Sequence, residues 1–387
     1  MKSRAGENAE ESGLKKLGQI AFSCLKLGTI GFGGIAGMVA TLEQELVIRR
    51  KWIDHQHLMD VLSASYVIPG PNAVEVVMHC GKERGGRLGL VVAGICYIIP
   101  AMLICLLLGY FYQRYRSLPD VEAFLFGLRP ATTALVIGTV FRLSKTTLQG
   151  NLRLTVLSLL AFAGSLSGLN EVGLIIGAGL MNLLFVRAKD TLQTLLGLLL
   201  TPFLLSIPTR FSETKLFLIF LKIGAVLYGS GYVLFAYMDE SLVRNTHWLT
   251  RQQLMDAIAV GQLTPGPILS SATFAGYLIG GLSGGVIATV GIFLPSFFIS
   301  FFLHRLLTAA RKSRQLRYFL DGLSAASLAI IAVVGVHLLT SSIQSWPGAA
   351  ILGVCLGLTL LSQKISPVLI ILIGGLGGFA LLQPVQW

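Results

Sequence analysis

Residues 56–71 read Gln56-His57-Leu58-Met59-Asp60-Val61-Leu62-Ser63-Ala64-Ser65-Tyr66-Val67-Ile68-Pro69-Gly70-Pro71, and residues 252–267 read Gln252-Gln253-Leu254-Met255-Asp256-Ala257-Ile258-Ala259-Val260-Gly261-Gln262-Leu263-Thr264-Pro265-Gly266-Pro267. Both are largely apolar and both end on Pro-Gly-Pro. A proline disfavours helix at the residue before it, and two prolines remove two backbone donors. Each stretch therefore reads as a helix that stops and restarts. Working outward at the same offset of 196 residues, Lys26-Leu27-Gly28 matches Lys222-Ile223-Gly224, Gly33 matches Gly229, Glu43 falls on Asp239, and Trp52 on Trp248. Between Lys26 and Pro71, 14 of 46 positions are identical to their counterparts without a gap. With a shift of one residue, Phe124-Leu125 and Gly127-Leu128 meet Phe319-Leu320 and Gly322-Leu323. A fixed-offset match of this length is the mark of a duplicated unit.

The medium around that unit follows from composition. Of 387 residues, 54% are apolar and 12% charged, against about 25% charged in soluble domains. So little polar surface cannot cover a soluble core, so the solvent is lipid. A spanning helix needs roughly 20 mostly apolar residues. Strong candidates are 88–112, 124–141, 154–168, 172–186, 216–238, 286–307, 319–339, 349–361 and 367–382. Weaker ones are 20–42, 58–78 and 192–207, and 254–278 is interrupted by Pro265-Gly266-Pro267. The ten-residue alternation of a membrane barrel is absent. The fold class is an all-α polytopic membrane protein of two homologous halves with discontinuous helices at the Pro-Gly-Pro breaks. Its expected organisation is a polar tail at 1–13, a first repeat at 14–187, a linker with an extra span at 188–214, and a second repeat at 215–387. The tail carries no apolar core, so no signal peptide is expected. Cys24, Cys80, Cys96, Cys105 and Cys355 lie in or beside apolar segments without metal-ligand spacing and read as small packing residues.

The net charge of +12 sits in short loops between spans, where it sets orientation rather than binding nucleic acid. Arg305, Arg311, Lys312, Arg314 and Arg317 are expected on the cytoplasmic side, with Arg142, Lys145, Arg153, Arg187, Lys189 and Lys364. The uncharged loops 165–170, 280–285 and 341–346 are expected outside. The basic loop 82–87 then lies opposite its uncharged counterpart 280–285, which predicts inverted repeats. An odd span must separate them, and 192–207, broken by Pro202, is the candidate. On this map Arg49-Arg50-Lys51 and Arg114/Arg116 fall outside, against the charge rule.

Several residue sets bear on chemistry. The helix restarting after each Pro-Gly-Pro leaves its first amides and positive dipole end free, which makes an anion site; a kinked packing helix is the plain alternative. The expected substrate-binding set is Pro69, Gly70, Pro71 and Asn72 in one half and Thr264, Pro265, Gly266 and Pro267 in the other. Glycine breaks at Gly33-Gly34 and Gly229-Ser230-Gly231 open the backbone to a ligand or serve close helix packing. Lys26 and Lys222 are ionisable groups within membrane segments, which marks them as functional candidates near a dianion, or as snorkelling side chains. Glu75 follows the first break by one turn and is a candidate proton carrier or a helix N-terminal carboxylate; His79, on the same face one turn on, is a candidate for proton coupling with it or an interfacial histidine. The second half has Ser271 at the position of Glu75, so the halves differ chemically. Arg129 is a further candidate cation, with Asp321 in the equivalent helix, and Asp60 and Asp256 are expected to hydrogen-bond locally. No Walker-type Gly-Lys-Ser/Thr, nucleophile triad or metal cluster is legible, so the chain is expected to be no enzyme and to need no cofactor or metal, running on a gradient.

At these residues the chain resembles the chromate ion transporter (CHR) family in its long two-domain form. The second half carries the closer likeness, in Tyr228-Gly229-Ser230-Gly231-Tyr232-Val233-Leu234, Trp248-Leu249-Thr250, the stretch from Asp256 to Pro267, Ala272-Thr273-Phe274-Ala275-Gly276-Tyr277 and Ile292-Phe293-Leu294-Pro295-Ser296-Phe297. In the first half Ile68-Pro69-Gly70-Pro71-Asn72, Glu75 and Gly94-Ile95-Cys96-Tyr97-Ile98-Ile99-Pro100 are similar to its pattern. One departure stands out. The family pattern of Phe-Gly-Gly-Pro followed shortly by His is met here by Phe32-Gly33-Gly34, then Ile35, Ala36, Gly37 and Met38. The resemblance implies proton-motive-force-driven chromate export across the bacterial inner membrane, giving chromate resistance. The expected partners are chromate or a related oxyanion, protons and the lipid bilayer, with a second copy as a homodimer the further candidate. A transporter or importer of sulfate or another oxyanion, and a passive anion channel, are the alternatives.

Overall fold

The structure, a computed structural model, describes residues 2–31, 39–65, 70–187, 211–228, 231–312, 314–343, 345–361 and 365–382. Every element among them is helical. The first repeat comprises α1 (Lys2–Ile30), a π-helical turn π1 (Glu43–Arg49), α2 (His55–Ser65), α3 (Asn72–Tyr115), α4 (Pro119–Leu148), α5 (Leu152–Leu166) and α6 (Glu171–Arg187). The second comprises α7 (Glu213–Val226), α8 (Val233–Met238), π2 (Asp239–Asn245), α9 (Arg251–Leu263), a 3₁₀ turn (Ile268–Ser270), α10 (Ser271–Lys312), α11 (Arg314–Ser342), α12 (Trp346–Leu361) and α13 (Pro367–Leu382). Local sequence fixes the starts: Pro119 opens α4, Asn151 accepts from the Arg153 amide at the start of α5, and Thr250 with Gln253 closes a capping box on α9.

The duplication is exact in places where backbone geometry is unusual. π1 and π2 occupy equivalent positions, and the non-glycine residues that follow them, Lys51 (φ 52°) and His247 (φ 55°), share a left-handed backbone. α3 and α10 are each two helices folded back on one another. The folds lie at Gly85 (φ −130°, ψ 16°) and Gly86 (φ 65°, ψ −149°), and at Gly280 (φ −130°, ψ 18°) and Gly281 (φ 65°, ψ −150°). The second residue of each pair adopts a conformation essentially confined to glycine. Past the fold the two arms pack closely, Gly81 against Gly89 and Ala93, and Gly276 against Gly284 and Ala288. The basic segment expected as a loop at 82–87 is therefore this sharp turn.

The repeats are inverted. Gln113 Nε2 donates to the Tyr277 and Leu278 carbonyls at 3.4 Å, Gly94 lies against Phe297, and Lys82 Nζ donates to the Phe301 carbonyl at 2.6 Å. The long arm of α3 thus runs antiparallel to the long arm of α10, its own repeat equivalent. The same holds for α4 and α11, joined by Thr133 Oγ1 and Ser342 Oγ at 2.8 Å while Ile137 faces Gly335. Equivalent helices that run in opposite directions are related by a two-fold axis perpendicular to them, which lies in the membrane plane. The helices also exchange partners between halves: α4 packs on α12 and α13, and α11 on α5 and α6. Small residues make these contacts, with Gly127 against Gly374 and Gly378 and Gly322 against Ala178 and Gly179.

Among the described residues, four helical segments are long and apolar enough to cross a bilayer: Asn72–Tyr115, Pro119–Leu148, Ile268–Phe302 and Gln315–Ser342, with four shorter apolar helices beside them. On α3 the exposed Val91, Ile95, Leu103 and Leu107 form one stripe, and Val286, Val290, Phe298 and Phe302 form it again on α10. An apolar stripe of this size, repeated in both copies, faces lipid.

Three sequence expectations change. Segment 20–42 is not one span, because α1 ends at Ile30. Segment 58–78 is not one either, because α2 and the first arm of α3 are antiparallel around Gly70-Pro71, with His57 beside Glu83 at their open end. The segment 216–238 is broken after Val226. The extra span expected at 192–207 lies outside the described residues. Arg49-Arg50-Lys51 also moves. Lys51, Trp52, Asp54 and Glu83 line one cavity, and the Arg84 guanidinium lies 5.9 Å from the Trp52 ring centroid. These basic residues therefore share a membrane face with Lys82–Arg87, and the conflict with the charge rule at 49–51 disappears.

Candidate functional site: paired helix breaks on the two-fold axis

Each half inserts a helical hairpin whose tip carries a break, at Gly70-Pro71 in the first half and at Pro265-Gly266-Pro267 in the second. The first arm of α3, from Asn72 to the fold at Gly85, is about 20 Å long at 1.5 Å per residue. That is short of the roughly 30 Å hydrocarbon core, so the tip stops inside the membrane. α1 stops there as well. Ile20 packs near Gly85 and Gly89 at the membrane face, while Gly28 lies against the Tyr97 carbonyl and Pro100, midway along the long arm of α3. In the second half Gly224 meets the Ile292 carbonyl in the same way.

The breaks are tied to one another across the axis. The Gly70 amide donates to the Leu227 carbonyl at 2.7 Å, and the Gly266 amide donates to the Gly31 carbonyl at 3.0 Å. These are the same bond twice, since Gly70 corresponds to Gly266 and Gly31 to Leu227. The C-terminal end of each half-helix meets the hairpin tip of the other repeat, an isologous arrangement. Both glycines have positive φ, 142° at Gly70 and 93° at Gly266, and Gly266 is wedged against Ala101 and Gly28. Irregular backbone at this depth is tolerated only where protein or water surrounds it, and here each end supplies the other's missing partner.

Glu75 sits under the first tip. A Cβ on Gly70 would collide with its carboxyl group. The side chain is fully buried, and neither oxygen has a hydrogen-bond partner among the described residues. Burying a charge is costly unless it is paired, so this carboxyl is suited to holding a proton. Asn72 serves the tip itself: with its amide oriented so that Nδ2 donates, it bonds the Ser65 and Gly70 carbonyls at 3.1 and 3.2 Å. At the second break the Thr264 hydroxyl bonds the Val260 carbonyl at 2.7 Å and contacts Cys105 Sγ at 3.5 Å. Gln262 Nε2 and Ser270 Oγ are buried atoms that flank that break, beside Tyr232 and Cys105 respectively, and both can donate to an anion. Gly33, Gly34, Pro69, Gly229 and Ser230, like Ile35 to Met38, lie outside the described residues; Gly231 precedes α8 and packs near Ile268.

The structure does not bring Lys26 and Lys222 onto one ligand. Lys26 Nζ binds Glu45 Oε2 at 2.5 Å, and Glu45, 2% exposed, also takes Arg49 at 3.4 Å and Arg50 at 3.1 Å. Lys222 is exposed and acts electrostatically on Glu240 of its own repeat. Arg129 is paired as well. Its Nε and Nη2 donate to Asp256 Oδ1 and Oδ2 at 2.9 and 3.1 Å, and Tyr112 Oη donates to Oδ2 at 2.7 Å. Asp256 thus bonds across the repeats instead of locally, because α9 packs against α3 and α4 of the other half.

Sequence reasoning missed Glu45 and the network around Asp239, which joins Arg244 at 2.8 Å, Arg251 at 3.6 Å and His337 at 4.0 Å. Glu43 and Asp239 align, yet the buried acid of the first-half π-helical turn is Glu45, aligned with Ser241. The two clusters differ in composition. Three cations surround the single carboxylate of Glu45, whereas Arg244 and Arg251 meet Asp239 together with Glu240 and the buried Glu171. His79 Nε2 lies 3.2 Å from Glu83, and His57 Nε2 lies 2.7 Å from the same oxygen. The absence of a metal cluster was expected from spacing along the chain, and these three groups come together only in the fold.

Comparison with known proteins adds a family to this geometry. The family model described as "Chromate transporter" matches residues 18–183 and 214–379, one match on each repeat. The chain is 28% identical over 373 residues to the probable chromate transport protein of Synechococcus elongatus, covering 94% of this chain and 95% of that one. It is 30% identical over 381 residues to the chromate transport protein of Pseudomonas aeruginosa, covering 92% and 90%. It is 26% identical over 372 residues to that of Cupriavidus metallidurans, with 92% and 90% covered. No solved structure matches it.

Proposed function

Because this chain belongs to the chromate transporter family, we propose that it is a secondary active transporter that exports chromate from the bacterial cytoplasm across the inner membrane, coupled to the proton-motive force. The observation that carries this reading is the reciprocal pairing of Gly70 with Leu227 and of Gly266 with Gly31 beside the buried, unpartnered Glu75. Two helix restarts aim amides and positive dipole ends at the centre of an inverted-repeat bundle, the arrangement that suits an oxyanion. Gln262 and Ser270 add side-chain donors. Glu75 is the proton-carrying group, protonated when the site is closed to water and ionised when one face opens. Rocking of one repeat against the other alternates that access.

Direction rests on charge. Arg49, Arg50, Lys51, Lys82, Arg84 and Arg87 share one face, which the positive-inside rule assigns to the cytoplasm. A cationic face raises the local concentration of a dianion, so chromate loads from inside and protons enter from the other side. Chromate resistance is the cellular outcome.

Inverted membrane vesicles test this. They should accumulate chromate when a pH gradient is imposed and stop when a protonophore collapses it. Flux unchanged by the protonophore would indicate a channel. Uptake of sulfate but not chromate would move the substrate to the alternative oxyanion.

A further inference from the structure

We propose that His57, His79 and Glu83 form a binding site for one divalent first-row transition-metal ion, such as Zn²⁺, that clamps the two arms of the first-half hairpin. The site is independent of the transport reading. His57 stands in the first turn of α2, and His79 and Glu83 stand one turn apart on the facing arm of α3. Both imidazole Nε2 atoms converge on Glu83 Oε1, at 2.7 and 3.2 Å, and the three ligand atoms lie within 4.8 Å of one another. Zinc bonds of about 2.0–2.2 Å to nitrogen and oxygen place tetrahedral ligands roughly 3.3 Å apart, inside the range these three atoms span, so side-chain adjustment alone seats an ion. Two histidines and a carboxylate are an established catalytic and open-site ligand set for zinc and iron.

Three further observations point to a ligand. His79 is 6% exposed, and Nε2 is its bonded nitrogen, which fixes the ring toward Glu83. A cavity of about 600 Å³ lined by Asp54, His55, His57 and Glu83 opens onto the cluster, giving an ion a path and a water for the fourth position. The cations on the same arm of α3 are engaged elsewhere, since Lys82 donates to the Phe301 carbonyl at 2.6 Å and Arg84 lies over Trp52, while Lys51 lines the cavity itself. The duplication supplies an internal comparison. The second half folds into the same hairpin with Gln253, Phe274 and Leu278 at the equivalent positions, so the fold does not need these ligands.

The measurement is zinc titration of the purified full chain in detergent, by calorimetry and by metal content after gel filtration. One ion per chain is expected, lost in His57→Gln and in Glu83→Gln, each weakening binding by about 100-fold or more. Co²⁺ substitution should give the intense visible bands of a low-symmetry four-coordinate site in the wild type alone. His57→Gln installs the second-half residue, and its unchanged elution and melting temperature verify folding. In vesicles, zinc should slow transport by the wild type and leave His57→Gln unaffected. Absence of stoichiometric binding, or binding equal in both variants and wild type, overturns the site.

Discussion

Arg129 and Asp256 offer the sharpest test of how the halves are joined. Asp256 is 0% exposed and Arg129 20%, and three hydrogen bonds converge on the carboxylate, two from the guanidinium and one from Tyr112. Arg129→Met removes both charged bonds, each worth about 1.5–3 kcal/mol. Breaking a buried pair from one side costs about 3–5 kcal/mol, and the two figures agree. Asp256→Asn is milder, about 1–2 kcal/mol, because the arginine is partly solvated and asparagine still accepts from Tyr112. The double variant removes the unpaired charge that makes Arg129→Met costly, so the pair should couple by about 2 kcal/mol. The assay is thermal unfolding of the detergent-solubilised chain followed by tryptophan fluorescence, with a drop of roughly 5–10 °C for Arg129→Met. Penalties that add to within about 0.5 kcal/mol in the cycle would refute the pairing, and with it the packing of α9 on α3 and α4.

Glu75→Gln should leave the melting temperature equal or higher, since it removes a carboxyl with no partner, while transport loses its response to an imposed pH gradient; a gradient response of wild-type size would remove Glu75 from the coupling. Gly86→Ala meets open space and should cost only backbone strain, about 1–3 kcal/mol. Gly70→Ala adds a collision with Glu75 and should melt lower than Gly86→Ala. Gly127→Leu pushes α4 off the Gly374 backbone and should abolish folded protein, whereas Gly177→Leu, with nothing within 4 Å, should be neutral to within about 0.5 kcal/mol.

The legible part of the site was its backbone. Pro69 to Pro71 and Pro265 to Pro267 mark breaks because proline acts on its own neighbours. Glu75 was legible because an acid one turn into an apolar helix is conspicuous. The side-chain partners were not. Lys26 and Arg129 read as free cations, yet each is held by a carboxylate distant in sequence, Glu45 or Asp256. The turn at Gly85-Gly86 read as a loop, since two glycines beside basic residues do not reveal that the arms fold back on each other. That turn decides which face Arg49 to Lys51 occupy.

Sequence alone determined the lipid environment, the duplication and the positions where helices break. Each follows from composition or from interactions within a few residues. The charge pattern also predicted inversion, because short basic loops record the face on which they were retained. Only the tertiary structure decided that α1 and the two hairpins end halfway across, that each tip bonds the other repeat, and that α4 and α11 exchange partners between halves. Depth and partnership depend on which surfaces pack together over long sequence separations. An unpaired amide or carboxylate in a membrane must find a partner wherever the fold supplies one, and hydropathy carries no record of where that is.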